Sequence, residues 1–205
     1  MLKFLLSLKH LKLITFNSKY PNRVLKLNLG CGKDYKEGWI NIDNNSDKNI
    51  EKLDINWNLA KGIPFKDDSV DFIFNEHFLE HLTVEEGQIF LKECKRVLKN
   101  GGIMRISMPD LERSMKDYFN PNWKTDNKAT FEKFKLNYKT RAEKINCAFR
   151  RWGHKWLYDR EELERRLKEA GYRQIKFCEL RQSDYPELKN LETRDESILV
   201  AEVTK

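Results

Sequence analysis

The stretch that decides the fold is VLKLNLGCG, residues 24–32, together with WINID, residues 39–43. The first part alternates apolar and polar residues and then reaches glycines, which predicts a strand at 24–29 and a tight turn at Gly30, Cys31 and Gly32. The second part predicts a strand at 39–42 that ends at Asp43. Glycines let a ligand approach the backbone, and a carboxylate after the next strand can accept hydrogen bonds from ribose hydroxyls. The two parts therefore predict a nucleoside site.

The rest of the chain alternates strands and helices. An apolar run with helical spacing at 85–98 ends at Asn100-Gly101-Gly102, and a second helix at 159–170 ends at Gly171. Parallel strands need helical crossovers, so this order predicts a mostly parallel sheet covered by helices, with ligands at the carboxyl ends of its strands. The further strands are predicted at 50–53, ending at Asp54, and at 70–74, 103–108, 174–180 and 197–203.

The same stretch argues against a dinucleotide cofactor. The third glycine of the dinucleotide fingerprint would fall on Tyr35, and Asp43 follows Gly30 by 13 residues where about 20 are expected. The short span between the first two strands leaves no room for a helix whose N-terminus would hold a pyrophosphate. A cofactor that contains pyrophosphate is therefore disfavoured.

Three longer runs carry a resemblance to a known family. They are LNLGCGKDYKEGWINID at 27–43, the segment at 53–82 that ends in FNEHFLEHL, and FLKECKRVLKNGGIMRISMPDLE at 90–112. With GHKWLY at 153–158, they resemble the class I S-adenosylmethionine-dependent methyltransferases, most of all small bacterial proteins of methyltransferase type 11. The resemblance covers residues 24–203. It implies a Rossmann-like α/β fold with S-adenosylmethionine as cofactor, in which helices flank seven mostly parallel strands in the order 3-2-1-4-5-7-6.

The resemblance also implies which residues hold the cofactor. The family usually carries an acid two residues before the first glycine, and here that position is Asn28, which adds no negative charge near the cofactor's ammonium group. The other implied positions are Gly30, Cys31 and Gly32 beside the methionine part, Asp43 on the ribose, Asp54 and Ile55 on the adenine side, and Asn75, Glu76 and His77 in the loop after the fourth strand.

The implied reaction is an in-line displacement at a sulfonium methyl, in which the protein mainly aligns the acceptor and excludes water. A base is needed only where the acceptor carries a proton that must leave, as a sugar hydroxyl does. The catalytic candidates are His154 and His77, with His81 as a third histidine to consider. We expect a small-molecule or glycan-linked acceptor, with oxygen favoured over nitrogen, because the family is often associated with surface-polysaccharide assembly.

Length and charge bound the organisation of the chain. Its 205 residues fit one domain. The net charge of +7 comes from the first 33 residues, which hold seven basic residues and no acid. Residues 1–20 are predicted to hold a basic helix, at 2–16, that packs on its own domain or, alternatively, touches acidic lipid headgroups. Residues 111–156 mix aromatic residues with lysines and have no strand pattern, so we predict a helical cap inserted after the fifth strand.

Cysteine usage and hydropathy bear on location. The four cysteines form no C-x-x-C pair, which indicates reduced thiols. Lysines interrupt the N-terminal leucines, so no apolar run of the signal-peptide kind is present. We therefore expect a cytoplasmic protein without a bound metal ion.

Two other functions stay open at this point. His77, Glu80 and His81 match H-x-x-E-H, in which two histidines one helical turn apart bind zinc and the glutamate acts as a base, so a zinc hydrolase is one alternative. The basic arm and the lysines and aromatic residues of 131–156 suit a nucleic-acid-binding protein or an RNA methyltransferase. A solvated charged face explains most such runs, so nucleic acid is the less expected partner.

Overall fold

The computed structural model describes residues 24–44, 50–133 and 135–205. Its centre is a seven-stranded sheet in the order β3-β2-β1-β4-β5-β7-β6. Neighbouring strands are parallel except at β7, which runs antiparallel to both β5 and β6. The predicted strand order is therefore confirmed. The strands are β1 Lys26–Leu29, β2 Ile40–Asp43, β3 Ile55–Asn56, β4 Val70–Glu76, β5 Leu98–Met108, β6 Gln174–Phe177 and β7 Leu199–Thr204.

Helices fill the connections of the described chain. No full helix separates β1 from β2, as the short span between them predicted. The N-terminal helix predicted at 2–16 lies outside the described residues. The α-helices are α1 Val84–Val97, α2 Leu111–Phe119, α3 Trp123–Asp126, α4 Lys128–Lys133, α5 Arg141–Arg150 and α6 Arg160–Glu169, with short 3₁₀ helices at Leu59–Lys61, Leu79–His81 and Pro186–Leu188.

The main core lies between the sheet and helices α1 and α6. Helix α1 begins with a capping box, in which Thr83 Oγ1 accepts from the Glu86 amide and the Glu86 carboxylate accepts from the Thr83 amide. Its buried face carries Phe90, Leu91 and Cys94 at helical spacing. Each large side chain buried there contributes about 1.5–3 kcal/mol. This packing fixes the loop after β4 relative to the sheet.

The second face of the sheet is covered by the segment between β6 and β7. Leu188 packs there against Trp39, Phe74 and Ile103. Because the helix after β1 is missing, we expected residues 2–16 and the segment 111–156 to help cover this face, and residues 2–16 lie outside the described residues. Within the described chain, the segment before β7 contributes cover, because its 3₁₀ helix Pro186–Leu188 presents Leu188 to the sheet.

A buried arginine anchors that covering segment. Arg105 on β5 is fully buried and donates to the carboxylates of Glu192 and Glu202 and to the Gln182 carbonyl. A buried guanidinium needs such partners, since an unpaired buried charge is strongly destabilising. Arg105 therefore ties the segment between β6 and β7 to the centre of the sheet.

The third strand lies later in the chain than predicted. We expected it at 50–53 with Asp54 at its carboxyl end, and that placement is wrong. Ile55 pairs with Ile42, so Asp54 precedes β3. The cause is local, because the Asp54 amide donates to the Asn41 carbonyl while the Asp54 carboxylate accepts from the Asn41 amide.

The fifth strand begins earlier than predicted. Asn100-Gly101-Gly102 was expected to separate the helix from the strand, but β5 already starts at Leu98. Leu98 pairs with Val70 across a register shift in β4, and Gly101 has φ +80°. The glycines therefore form an irregularity within β5 rather than a loop before it.

The segment 111–156 contains α2 to α5. Helix α2 is capped by Asp110, directly after β5, and Lys144 on α5 forms an ion pair of 2.6 Å with Asp117 on α2. The segment therefore begins at the carboxyl edge of the sheet. Among the residues that the structure describes, no helix is long and apolar enough to cross a membrane.

Candidate active site

The turn after β1 is built around two glycines with different surroundings. Gly30 and Gly32 have φ +70° and +54°, a region that favours glycine. A Cβ on Gly30 would lie 2.4 Å from the Phe78 ring, whereas a Cβ on Gly32 would meet nothing within 4 Å. Gly30 is thus needed for the contact with Phe78. Gly32 leaves open space over the turn, and Cys31 between them is buried.

Asp43 lies against this turn. Its carboxylate is buried and accepts from the Gly32 amide at 2.8 Å and from the Asn44 amide at 2.6 Å. Two backbone donors therefore fix the orientation of the carboxylate. The structure brings Asp43 and the glycine turn together at one edge of the sheet, as the sequence predicted from the strand ends.

Asn28 organises the loop that follows the turn. Its Nδ2 donates to the Asp34 carbonyl and to Asn41 Oδ1, both at 2.9 Å. Asn41 Oδ1 also accepts from the Lys36 amide at 2.8 Å. Asn28 is buried, and the hydrogen bonds that its side-chain amide donates fix the conformation of the loop between β1 and β2.

Asp54 is engaged by protein groups on the start of β2 and on the loop after β1. Its Oδ2 accepts from the Asn41 amide at 2.8 Å, and its Oδ1 accepts from the Tyr35 hydroxyl at 3.0 Å. Ile55 is half-buried and packs against the main core. At the carboxyl end of β3 stand Asn56 and then Trp57, whose Nε1 donates to the Gly62 carbonyl at 2.8 Å.

Asn75 and Glu76 end β4 with opposite orientations. Asn75 is fully buried, its Nδ2 donates to the Leu29 carbonyl at 2.8 Å, and its Oδ1 has no donor among the described residues. Glu76 accepts from the Thr193 amide and hydroxyl and from the Ser197 hydroxyl. Asn75 therefore offers an acceptor beside the end of β1, whereas Glu76 holds the segment before β7.

The contacts of Glu76 change its acidity. Burial alone would raise the pKa of Glu76, but the hydrogen bonds from Ser197 and Thr193 outweigh burial and hold the pKa below its ordinary value. The ionised carboxylate thus stabilises the loop at Thr193 and Ser197. Arg194 and Asp195 of the same loop line the cavity described next, so Glu76 shapes a wall of that cavity.

A cavity of about 710 Å³ is lined in part by residues of the segment 111–156. Its lining includes Pro109 and Asp110 after β5, His77 and His81 after β4, and His154 from the end of that segment. Phe78, next to His77, contacts Gly30. A residue that lines the cavity is therefore followed directly in the chain by the residue that contacts the glycine turn.

Both catalytic candidates line this cavity. His77 has φ +51°, and its buried Nε2 has no hydrogen-bond partner among the described residues. His154 Nδ1 lies 2.7 Å from the Ala148 carbonyl. A carbonyl only accepts, so Nδ1 carries the hydrogen and the neutral ring keeps its lone pair on Nε2.

Sequence reasoning missed Asp110, which also lines the cavity. Its carboxylate accepts from the Glu112 amide at 2.9 Å and caps α2, and burial raises the pKa of Asp110. Asp110 follows Pro109 at the carboxyl end of β5. The rule that predicted Asp43 from its strand end would have found Asp110 as well.

The H-x-x-E-H match does not have the geometry of a zinc-peptidase helix. Leu79–His81 is a 3₁₀ helix, and His77 lies outside it with a left-handed backbone. His77 and His81 are therefore not one α-helical turn apart on a shared face. Within the described chain, the metal-ligating atoms that lie within 4.8 Å of one another belong instead to Glu80, His81 and His154.

Comparison with known proteins relates part of the chain to a known family. Residues 27–106 match the methyltransferase domain family. A comparison with curated proteins found no match. Among solved structures, a SAM-dependent methyltransferase from Archaeoglobus fulgidus is 17% identical, with a TM-score of 0.53 over 98% of this chain and 94% of that one. A SAM-dependent methyltransferase from Thermotoga maritima, described as a possible histamine N-methyltransferase, is 18% identical, with a TM-score of 0.51 over 97% and 88%.

The residues at the glycine turn fit S-adenosylmethionine. The space over Gly32 is open, the Asp43 carboxylate is held 2.8 Å from the Gly32 amide, and Asn75 Oδ1 is a buried acceptor without a donor in the described chain. A nucleoside with hydroxyl and ammonium donors complements these acceptors. Residues 27–106 thus match a methyltransferase domain, and the described chain shares the fold of solved S-adenosylmethionine-dependent methyltransferases.

Proposed function

We propose that the chain transfers the methyl group of S-adenosylmethionine to a small-molecule or glycan-linked acceptor. This acceptor occupies the 710 Å³ cavity, and oxygen is the favoured acceptor atom. The observation that carries the proposal is the position of this cavity. It lies at the carboxyl ends of β4 and β5 and is lined by His77, whose neighbour Phe78 contacts Gly30. Ligands of α/β sheets bind at such strand ends.

The cofactor side of the proposed site consists of Gly30, Cys31, Gly32, Asp43 and Asn75. When bound, S-adenosylmethionine supplies an electrophilic methyl group on a positively charged sulfur. In this proposal the Asp43 carboxylate accepts hydrogen bonds from the ribose hydroxyls, and Asn75 Oδ1 accepts a hydrogen bond from the amino-acid part. Gly32 leaves the space that the cofactor fills.

The other implied cofactor positions act through the backbone they hold. Asn28 donates a hydrogen bond to the loop after β1, and Asp54 accepts one from β2. We therefore propose that both residues shape the cofactor edge indirectly. Ile55 packs in the core beside the end of β2. Glu76 fixes the loop before β7 and acts on the acceptor side.

The acceptor side aligns a polar molecule and removes a proton. The cavity presents the Trp152 ring together with charged groups such as Lys144 and Arg194, a combination that suits a polar, ring-containing acceptor. Two histidines, His77 and His154, line the same cavity. A base is needed for a hydroxyl, which must lose its proton as the new bond to carbon forms, so the histidines favour oxygen.

A transfer assay tests the proposal. The full chain is incubated with methyl-labelled cofactor and a panel of hydroxylated small molecules, oligosaccharides, amines and RNA, and products are identified by mass spectrometry. Methylation of a hydroxylated small molecule or sugar supports the proposal. Methylation of RNA alone, or of amines alone, contradicts it.

His154→Ala should slow turnover while leaving cofactor affinity intact, and full activity would remove His154 from the reaction.

A further inference from the structure

We infer that Glu80, His81 and His154 form a binding site for a divalent transition-metal ion on the wall of the cavity. Glu80 and His81 end the 3₁₀ helix after β4, and His154 follows α5. The ligand atoms of the three side chains lie within 4.8 Å of one another, and the two imidazole rings are 4.9 Å apart between centroids. Two distant parts of the chain thus bring three metal-ligating groups to one place.

Backbone hydrogen bonds hold the two parts together. The amides of Lys155 and Trp156 donate to the Glu80 carbonyl at 2.8 and 3.2 Å. These bonds involve the residues directly after His154 and the central residue of the 3₁₀ helix. The juxtaposition therefore depends on main-chain pairing and not only on side-chain rotamers.

Glu80 is the observation that points to a ligand. Its side chain is 1% exposed, and neither carboxylate oxygen accepts a hydrogen bond within the described residues. His77 Nδ1 lies 3.1 Å from Oε1, which is an ion pair only when the imidazole is protonated, and Oε2 has no hydrogen-bond partner among the described residues. A buried ionised carboxylate needs a positive partner or hydrogen-bond donors. A cation between Glu80 and the two histidines would meet that need.

His154 is oriented as metal-binding histidines are. Its Nδ1 bonds to the Ala148 carbonyl at 2.7 Å, which leaves Nε2 as the nitrogen with a lone pair. In metal sites the second ring nitrogen almost always has such a backbone or carboxylate partner, which fixes the tautomer and the ring orientation. The Ala148 contact therefore prepares Nε2 for coordination.

The ligand set selects the kind of ion. Two imidazoles and one carboxylate suit zinc and its neighbours iron(II), cobalt(II) and manganese(II), rather than the all-oxygen sites of calcium or magnesium. Bonds of about 2.0–2.2 Å place ligand atoms about 3.4 Å apart, so the side chains of Glu80, His81 and His154 would close inward by about 1 Å or less. Three protein ligands leave a coordination position open, as in catalytic metal sites.

The open position gives the ion a role, and this step rests on the proposed function. His81 and His154 line the cavity, so an acceptor oxygen there could bind the ion and be oriented by it. His154 would then act as a ligand and not as a base. His77 Nε2, which is buried in the same wall without a hydrogen-bond partner among the described residues, would be the nitrogen that meets the acceptor's proton. This inference replaces the expectation of a metal-free protein.

Metal titration of the full chain tests the site independently of cofactor binding. The protein is stripped with a chelator and titrated with zinc alone by calorimetry, and with cobalt(II) alone by visible absorption, which reports nitrogen and oxygen coordination. We expect one zinc per chain. Glu80→Gln and His154→Ala should each weaken zinc binding by about 100-fold or more, and Glu112→Gln, an exposed carboxylate on α2, should leave it unchanged. Absence of stoichiometric zinc and cobalt binding would overturn the inference, as would equal affinity in all four proteins.

A second comparison separates this ligand set from the H-x-x-E-H set. His77→Asn should weaken zinc binding less than His154→Ala, because His77 contacts Glu80 and is not a ligand in our arrangement. A larger loss in His77→Asn than in His154→Ala would overturn it. Cofactor affinity is measured on the same samples. Zinc binding without cofactor binding would contradict the proposed function alone, and cofactor binding without zinc binding would contradict the metal site alone.

Discussion

The glycine-turn edge and the cavity wall satisfy their polar groups in different ways. At the glycine-turn edge, Asp43 and Asn28 are held by contacts to neighbouring backbone or to Asn41. At the cavity wall, the Glu80 carboxylate and His77 Nε2 are buried without hydrogen-bond partners among the described residues. The first region is held mainly by its own backbone and leaves Asn75 Oδ1 as an acceptor, whereas the second leaves a whole carboxylate and an imidazole nitrogen for a ligand.

This difference follows from how each region is assembled. The turn and Asp43 belong to adjacent parallel strands, so the ladder between β1 and β2 sets their spacing. The cavity wall combines residues that follow β4 and β5 with residues at the end of the segment 111–156. His154 meets the others only through contacts between segments far apart in the chain. We therefore expect cofactor affinity to depend on the first region and turnover on the second.

The largest expected effect concerns the cavity wall. His77→Asn removes the imidazole but keeps a residue that tolerates the left-handed backbone at this position. If His77 removes the acceptor's proton, kcat should fall by about 10²–10⁴-fold with cofactor affinity unchanged. Steady-state kinetics and calorimetry with the cofactor measure the two quantities. A parallel loss of cofactor affinity would break the proposed division between the regions.

The second prediction compares two alanines in one turn. Gly30→Ala places a Cβ 2.4 Å from the Phe78 ring at φ +70°, and should cost about 2–4 kcal/mol of unfolding free energy from overpacking and backbone strain. Gly32→Ala carries only the strain, about 1–2 kcal/mol, because its Cβ meets nothing within 4 Å. Urea unfolding measures both. Equal stability losses would contradict the close contact with Phe78.

Part of this architecture could be predicted from the sequence, because periodicity and strand ends are local signals. The turn at Gly30, the carboxylate at Asp43 and the strand order follow from such signals and from the family resemblance. The position of β3 could not be predicted in this way, because it depends on hydrogen bonds from Asn41 to the Asp54 carboxylate. The packing of Leu188 on the second face of the sheet could not be predicted from the sequence either.

The candidate site was predictable to a different degree in its two regions. Strand-end logic brought Asn75 and Asp43 to one edge, and applied consistently it would also have found Asp110. The meeting of Glu80 with His154 could not be predicted, because the two residues are joined by backbone bonds between segments far apart in the chain. No spacing rule encodes such a contact.

The third prediction concerns cofactor affinity. Asp43→Ala removes the carboxylate proposed to accept the ribose hydroxyls, and should weaken cofactor binding by about 1.5–3 kcal/mol, the worth of hydrogen bonds to a charged group. Calorimetry measures the change. Asp67→Ala, which removes a largely exposed carboxylate paired with Arg96, serves as the control and should bind normally. Unchanged affinity in Asp43→Ala would remove Asp43 from the site.

The smallest expected effect is a pH dependence of stability. The pKa of Glu76 is lowered in the folded chain, so its ionised form stabilises the fold above about pH 4.5, the ordinary value, and this stabilisation is lost as the pH falls through the folded pKa. In Glu76→Gln the loss of unfolding free energy below pH 4.5 should therefore be smaller than in the wild type. Folding weakens the affinity of Glu76 for its proton. For each tenfold decrease in this affinity, the wild type should lose about 1.4 kcal/mol more unfolding free energy than Glu76→Gln.

Chemical denaturation of the wild type and of Glu76→Gln between about pH 3 and 6, roughly the range over which a carboxyl titrates, measures this difference. Identical pH profiles would show that Glu76 does not hold the loop before β7 through its charge.

Direct titration of the purified full chain with S-adenosylmethionine and S-adenosylhomocysteine, by calorimetry, tests the central claim. The account predicts one binding event per chain for each compound, weakened in Asp43→Ala and retained in His77→Asn. No heat and no thermal stabilisation with either compound, on folded protein, would contradict it.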